Sequence, residues 1–371
     1  MKKYINKYKI ELLIITTIIF LSLINLKLAY LLNDKYQGLL TKQLMWILIG
    51  IFISIIIYKI KLKTIYKYRY IIYTFSILLL IYPLIFSKDI NRIKAWIKIG
   101  PIVIQPSELM KIAYPIVAIN LIKYKKYLLS FILYLIPTIL IIIEPDTGNA
   151  LFLTIIFIYL ILNKKNTKYI FLTIFITTMI STFVILSFKY YPQIYMNLFN
   201  GSLYYRLKRI LSFNNNYQLN NALIGIGSSK LLPNYINKKL LIYIPEGITD
   251  FIFSFSVCNL GIIVNILLIL LYIIFIYILI KRFYKTRYIY QKKLLGSFII
   301  IFSFQFVYNI FMNIGLVPII GIPLPLFSYG GSNIITYLIL YFLTTKKLSS
   351  IEDKDNNNYK SNYHMDLVDN K

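Results

Sequence analysis

The sequence predicts an all-α, polytopic integral membrane protein with about ten transmembrane helices and with its N- and C-termini in the cytoplasm. Hydrophobic residues make up 58% of the 371 residues and charged residues only 15%, whereas soluble domains average about 25% charged residues. The apolar residues also form runs near the ~20 residues that a helix needs to cross a bilayer. Ordinary soluble enzymes and disordered chains are therefore excluded.

Ten apolar runs give the expected spans, and Lys and Asn residues form most of the polar breaks between them. In chain order the spans are 10–32, 43–60, 70–87, 104–122, 127–143, 149–163, 169–190, 250–280, 294–314 and 326–345. The first run follows Met-Lys-Lys, as a signal peptide would. No small-residue cleavage site follows it, so we expect an uncleaved anchor.

The distribution of basic residues sets the expected orientation. With the N-terminus inside, the short inner segments hold far more Lys and Arg than the short outer loops, which is the positive-inside pattern. The loop 191–249 then lies outside, and loops of that length are usually functional. We expect residues 1–348 to form a single transmembrane domain and the polar residues 349–371 to form a disordered cytoplasmic tail.

The net charge of +28 does not predict nucleic-acid binding. Lys, Ile, Asn and Tyr have AT-rich codons and are abundant, so we attribute the Lys excess to codon bias. Gly, Pro and Arg have GC-rich codons, so their clusters indicate positions that a physical constraint retains. The single cysteine, Cys258, and the single histidine, His364, exclude intrachain disulfides, Cys-based zinc sites and a His-dependent triad in the apolar body.

One cluster of Gly and Pro lies between Gly315 and Gly331. Such a segment cannot be a regular helix, and irregular backbone at membrane depth is either buried in protein or lines a wet cavity. Ser328 and Ser332 add polar groups to it. These residues favour a site over a plain loop between two spans.

Glu108 and Lys111 lie three residues apart at the start of the fourth span, so they share a helix face and can pair. A charge at the centre of a membrane helix costs roughly 2.5–3.5 kcal/mol. Both side chains are therefore expected to face a polar interior. A substrate-binding role and a purely structural ion pair are both open.

Two further acidic segments interrupt the apolar runs. Glu144 and Asp146 form a tight outer turn that could bind a cation, or Asp146 could cap the next helix. Asp250 begins the span 250–280 at the outer face, where it could cap that helix or act as a base facing a wet cleft. Spacing alone leaves both questions open.

These segments together resemble the SEDS family (shape, elongation, division and sporulation proteins), and the RodA branch more than the FtsW branch. The resemblance covers roughly residues 10–345, with the motifs in the same order. The matching motifs are W-I-x-x-G and Q-P-S-E-x-x-K within 96–111, P-D-x-G at 145–148, Y-Q and I-G-S within 217–228, P-E-x-x-T-D-F-I-F at 245–253, and the run from N-I-G-L-x-P to S-Y-G-G-S at 313–332.

The resemblance implies an inverting peptidoglycan glycosyltransferase that polymerises lipid II at the outer face of the cytoplasmic membrane, in cell elongation and rod-shape maintenance. It implies lipid II, polyprenyl diphosphate and a class B penicillin-binding protein transpeptidase as partners, and it places the family's essential aspartate on Asp250 as the base. The chain departs from the family at Ala95, Ile248, Cys258 and Asn259. These departures leave a non-catalytic scaffold for the transpeptidase open. A lipid II flippase is the other alternative, although the crowding of the polar motifs toward the outer face favours the enzyme.

A diphosphate leaving group needs cations, and Arg binds phosphate through paired hydrogen bonds. Outer arginines are therefore expected at this site, with Lys94 and Lys111 assisting. A divalent cation, Mg²⁺ or Mn²⁺, is compatible with the resemblance, and no other cofactor is expected. The residues predicted to bind the substrate or its diphosphate are Arg92, Lys94, Glu108, Lys111, Arg206, Arg209 and Ser328.

Overall fold

The computed structural model describes residues 8–31, 36–86, 95–100, 102–144, 146–162, 179, 186–197, 204, 207–208, 211, 216–233 and 241–346. Its helices are α1 Lys9–Tyr30, α2 Leu39–Lys59, α3 Leu62–Lys67, α4 Arg69–Phe86, α5 Pro106–Lys123, α6 Tyr127–Ile143, α7 Thr147–Leu162, α8 Pro192–Asn197, α9 Tyr217–Ser228, α10 Ile252–Leu260, α11 Ile262–Lys285, α12 Ile289–Asn313 and α13 Gly331–Thr344. A 3₁₀ turn covers Leu241–Tyr243, and the strands β1 Ile97–Ile99 and β2 Ile102–Ile104 complete the list.

The all-α membrane architecture is confirmed. Within the described residues, five helices are long and apolar enough to cross a membrane, namely α1, α2, α4, α11 and α12. The shorter apolar helices α6, α7 and α13, together with α5, fall on four more of the expected spans. Most of the span 169–190 and the whole tail 349–371 lie outside the described residues.

Helix α5 forms the centre of the bundle. Sixteen of its residues, from Pro106 to Ile122, are buried between α4, α6, α7 and α13. Pro106 occupies the first helical turn, where a missing N–H removes no internal hydrogen bond. Before it, β1 and β2 form a short antiparallel hairpin that turns at Gly100 with φ +60°. The expected span 104–122 thus begins as a strand and becomes a helix at Pro106.

The expectation of one continuous span over 250–280 is wrong. The chain forms the short helix α10 and then the long helix α11, and Gly261 separates them with φ +83°. The first N–H groups of α11, those of Ile262 and Ile263, donate to the carbonyls of Lys230 and Leu231. A Cβ at position 261 would lie 2.7 Å from the Leu231 carbonyl oxygen. Only glycine tolerates that backbone shape and that close approach.

The first helix is bonded to the last third of the chain. The hydroxyl of Ser22 donates to the Phe327 carbonyl at 2.6 Å, and Asn259 donates to the Asn25 side chain at 2.7 Å. Near the start of α1, Arg282 Nη1 donates to Glu11 Oε2 at 2.6 Å. These bonds pair the Ser22 hydroxyl, the Asn25 side-chain oxygen and the Glu11 carboxylate, which would otherwise face the apolar interior.

Candidate active site

Asp250 lies immediately before the helix α10 and is half-buried. The N-cap position belongs to the next residue, Phe251, and no side chain of that residue caps the helix. Asp250 is therefore not the N-cap of α10, because it lies one residue before that position. This geometry favours the alternative in which the Asp250 carboxylate serves another purpose.

The backbone carbonyl of Asp250 accepts two hydrogen bonds from α12. Asn309 Nδ2 donates to it at 2.8 Å and Asn313 Nδ2 at 3.2 Å. Asn309 also donates to the Ile322 carbonyl at 2.7 Å. The segment that carries Asp250 and the Gly- and Pro-rich segment are thus bonded to the same face of α12.

Gly321 lies beside the side chain of Asp250. A Cβ added at Gly321 would lie 3.2 Å from Asp250 Oδ2, and Gly321 has φ +73°. A Cβ added at Gly148 would lie 3.8 Å from the Gly321 carbonyl oxygen and 3.8 Å from Asp146 Oδ1. The structure therefore brings together Asp250, the Gly- and Pro-rich segment and the turn at Asp146, as neighbours in one site.

Ser328 braces the backbone around Asp250. Its buried hydroxyl donates to the Thr249 carbonyl at 2.7 Å and accepts the Leu324 N–H at 2.8 Å. Beside it, the Tyr329 N–H donates to the Ile248 carbonyl at 2.9 Å. These bonds hold the two residues before Asp250 against the segment 324–329. The substrate-binding role of Ser328 stays a prediction.

Asp146 caps the helix α7. Its Oδ1 accepts the backbone N–H of Asn149, at the third position of that helix, at 3.2 Å. Its Oδ2 accepts Gln105 Nε2 at 2.7 Å and Ser107 Oγ at 2.8 Å. The capping interpretation of Asp146 is therefore confirmed, and the same carboxylate fixes the start of α5.

Glu144, on the other side of that turn, is fully buried, and neither carboxylate oxygen has a hydrogen-bond partner. Loss of water around it and the nearby Asp146 raise the pKa of Glu144 to about 9. A carboxyl with that pKa is protonated at neutral pH. Burial therefore favours the uncharged form of Glu144.

Glu108 and Lys111 form the expected ion pair, with Nζ and Oε1 2.7 Å apart and side chains 5% and 0% exposed. The ammonium group also lies 4.6 Å from the centre of the Phe152 ring and 5.5 Å from that of Tyr337. The second oxygen of Glu108, Oε2, has no hydrogen-bond partner. The pairing is confirmed, while the substrate-binding role of both residues stays a prediction.

The predicted diphosphate site rests on residues that the structure does not describe. Arg92, Lys94, Arg206 and Arg209 all lie outside the described residues. In the described part of the chain, no group of three or more His, Cys, Asp or Glu side chains could hold a metal ion. A divalent cation therefore stays an expectation, and the described residues supply no set of ligands for it.

The family departures in α10 lie in its packed interior. Cys258 is buried, and a Cβ at Gly225 of α9 would lie 2.9 Å from its sulfur. Asn259 is fully buried and bonded to Asn25. The side chains present at these positions join α10 to α9 and to α1.

Sequence analysis missed Asn309 and Asn313, the two residues that bond the Asp250 carbonyl. Together with Gln305, which donates to the Pro323 carbonyl at 2.6 Å, they recur every four residues and so share one face of α12. A stripe of amides in an apolar helix, next to a segment rich in Gly and Pro, is the signal that could have identified them.

Comparisons with known proteins agree in sequence and in fold. The model of the family FTSW_RODA_SPOVE, described as "Cell cycle protein", matches residues 5–350. The chain is 32% identical over 346 residues to the "Probable peptidoglycan glycosyltransferase FtsW" of Wigglesworthia glossinidia brevipalpis, covering 86% of each chain. It is 30% identical over 340 residues to the "Peptidoglycan glycosyltransferase MrdB" of Helicobacter pylori, covering 85% of each chain.

Two solved structures share the fold. The rod shape determining protein RodA of Thermus thermophilus superposes with a TM-score of 0.62 at 23% identity, covering 91% of this chain and 95% of that one. A chain from a structure described as "Structural coordination of polymerization and crosslinking by a peptidoglycan synthase complex" superposes with a TM-score of 0.71 at 21% identity, covering 90% and 95%.

Proposed function

Because the chain belongs to the family of FtsW, RodA and SpoVE, we propose that it is a peptidoglycan glycosyltransferase that polymerises lipid II. The observation that supports this most directly is the match of nearly the whole chain to relatives named for that activity. The half-buried Asp250, with Gly321 against its carboxylate, supplies a residue suited to proton transfer.

Asp250 acts as the general base in this proposal. It takes the proton of the acceptor's 4-hydroxyl while the hydroxyl oxygen forms a bond to the anomeric carbon of the donor sugar. The bond between that carbon and the diphosphate oxygen breaks, the diphosphate leaves with the electron pair, and the anomeric configuration inverts. Proton transfer by a positioned base contributes roughly 10²–10⁴-fold to such a rate.

The lipid diphosphate leaving group requires fixed positive charge, since charge develops on it in the transition state. We assign this role to Arg92, Arg206 and Arg209, with Lys94 assisting. Guanidinium groups bind phosphate oxygens in pairs, which gives a reason for arginine at these positions in a chain whose basic residues are mostly lysine.

We further propose a location and a partner. The protein lies in the cytoplasmic membrane with both termini inside and with Asp250 facing the cell exterior, because the basic residues are concentrated in the inner segments. One of the two solved structures that share the fold comes from a peptidoglycan synthase complex whose description names polymerization and crosslinking. A crosslinking transpeptidase, the class B penicillin-binding protein, is the corresponding partner for this chain.

Purified protein supplied with labelled lipid II, with and without the transpeptidase, tests the function. We expect glycan strands from the wild type and at least ~10²-fold less polymer from Asp250→Asn. Asn keeps the size and polarity of Asp and removes only its ability to accept a proton, so this variant should keep its expression level and its binding of the partner. Transport of lipid II across vesicles without polymer would indicate a flippase, and neither activity would indicate a scaffold.

A further inference from the structure

The start of α10 is capped by a side chain from another helix, α12. Asp250 precedes the N-cap Phe251, and Ser254 lies in the first turn, so neither the Asp250 carbonyl nor the Ser254 N–H has a partner inside α10. Here Asn313 Oδ1 accepts the Ser254 N–H at 3.0 Å and the Ser254 hydroxyl at 2.7 Å. Asn313 Nδ2 donates to the Asp250 carbonyl at 3.2 Å. One carboxamide from another helix therefore bridges the two groups.

The bridging carboxamide is itself firmly held. Asn313 is fully buried, and its Nδ2 also donates to the Asn309 carbonyl at 2.8 Å. Asn309 is fully buried as well and donates to the carbonyls of Asp250 and Ile322. Ile322 follows Gly321, which lies against the Asp250 carboxylate. The backbone and the side-chain environment of Asp250 are thus both fixed relative to α12.

Structural need alone does not require this arrangement. A capping side chain at position 251, or water, would satisfy the Ser254 N–H without tying residue 250 to another helix. Burying two carboxamides costs desolvation, and the gain is that residue 250 is held by α12. A general base depends on such placement, because an error of about 1 Å can cost on the order of 10²-fold in rate.

We propose that Asn313 is the positioning residue that sets the orientation of Asp250, with Asn309 supporting it. This proposal rests on the proposed function, because the expected change in rate refers to polymerisation of lipid II. Asn313 acts through Asp250 and makes no contact with the reacting atoms. The bridge, and not the N-cap of α10, therefore determines where the carboxylate lies.

A double-mutant cycle tests the kinetic claim. We compare Asn313→Ala and Asn313→Gln in the wild-type and Asp250→Asn backgrounds, with initial rates of lipid II polymerisation normalised to folded protein. Asn313→Ala should lower the rate by about 10- to 100-fold in the wild type and by less than about twofold in Asp250→Asn, because the affected group is already absent. Asn313→Gln, which keeps the carboxamide, should retain more activity than Asn313→Ala.

Tyr308→Phe is the matched control. Its hydroxyl lies on α12 and donates to the Pro318 carbonyl at 2.9 Å, so the variant removes one bond from α12 to the same Gly- and Pro-rich segment without leaving a cavity. We expect a rate near that of the wild type. Equal losses from Asn313→Ala in both backgrounds would show a general structural role and would overturn the proposal.

A second measurement does not require polymerisation. Carbodiimide coupling of glycine ethyl ester to Asp250, quantified by peptide mass spectrometry in detergent, reports the accessibility of that carboxylate. Asn313→Ala should increase its labelling rate several-fold, while Tyr308→Phe should not change it. An unchanged rate in Asn313→Ala overturns the positioning role. A wild type that makes no polymer overturns the proposed function instead, and the labelling result still decides the role of Asn313.

Discussion

Gly321 lies beside the carboxylate of Asp250, since a Cβ added at position 321 would lie 3.2 Å from Asp250 Oδ2. Residue 321 belongs to the segment between α12 and α13, and residue 250 precedes α10. This proximity therefore places the Gly- and Pro-rich segment at the carboxylate. It also makes the size of residue 321 a direct probe of the site.

Gly321→Ala should reduce polymerisation by about tenfold or more, because the added methyl group presses on the Asp250 carboxylate and a small displacement of a base is costly. Gly100→Ala is the control. Gly100 has φ +60° and no atom within 4 Å of an added Cβ, whereas Gly321 has φ +73°. In both variants, alanine must adopt a left-handed backbone conformation, which costs a similar roughly 1–2 kcal/mol. Equal rates for the two variants would contradict a site at this position.

Lys111→Met should destabilise the protein by about 3–5 kcal/mol, because it leaves the buried Glu108 without its partner. The double variant Glu108→Gln with Lys111→Met should recover most of that loss, since no buried charge remains. Thermal unfolding in detergent measures both effects. Full polymerising activity in a stable double variant would refute the substrate-binding role predicted for the two residues.

The buried Glu144 should make stability fall as pH rises. Its pKa is about 9 in the folded protein and about 4.3 when unfolded, so the folded state binds more protons between these values. The contribution is fully present below about pH 4 and is lost, by up to ~1.4 kcal/mol per pH unit, as pH rises to about 9. Glu144→Gln should flatten this dependence and raise the unfolding temperature at pH 8. An unchanged pH profile would show that Glu144 is ionised in the fold.

Arg209→Lys should weaken lipid II turnover if Arg206 and Arg209 bind the diphosphate by paired hydrogen bonds, because lysine keeps the charge but loses the bidentate geometry. The same assay at several salt concentrations separates this from diffuse attraction, which salt screens. Wild-type rates in Arg206→Lys, in Arg209→Lys and in the variant that carries both changes would place the leaving-group site elsewhere.

Hydropathy predicted most of the fold because a bilayer requires long apolar runs, and it failed where the chain breaks inside one. The sequence predicts one span over residues 250–280, because Gly261 breaks the helix without adding a polar side chain. The break becomes apparent only when the carbonyls of Lys230 and Leu231 are seen to receive the first N–H groups of α11. Those partners lie about thirty residues away along the chain.

The site was predictable to the extent that charge marked it. Asp250, Glu108 and Lys111 are conspicuous in apolar surroundings, and the pairing of Glu108 with Lys111 followed from spacing on one helix. Asn309 and Asn313 are uncharged, so only their four-residue spacing with Gln305 marks them as a set. Their importance depends on the Asp250 carbonyl, and no local pattern specifies a contact across about sixty residues.

The bonds of α1 have a consequence for the order of assembly during synthesis. Its partners Asn259, Arg282 and Phe327 come more than 200 residues later in the chain, and Tyr8 at its start donates to the Thr345 carbonyl. At ~5–20 residues per second, the ribosome needs roughly 20–70 s to reach that residue. Helix α1 therefore lacks its final hydrogen-bond partners until α13 has been made.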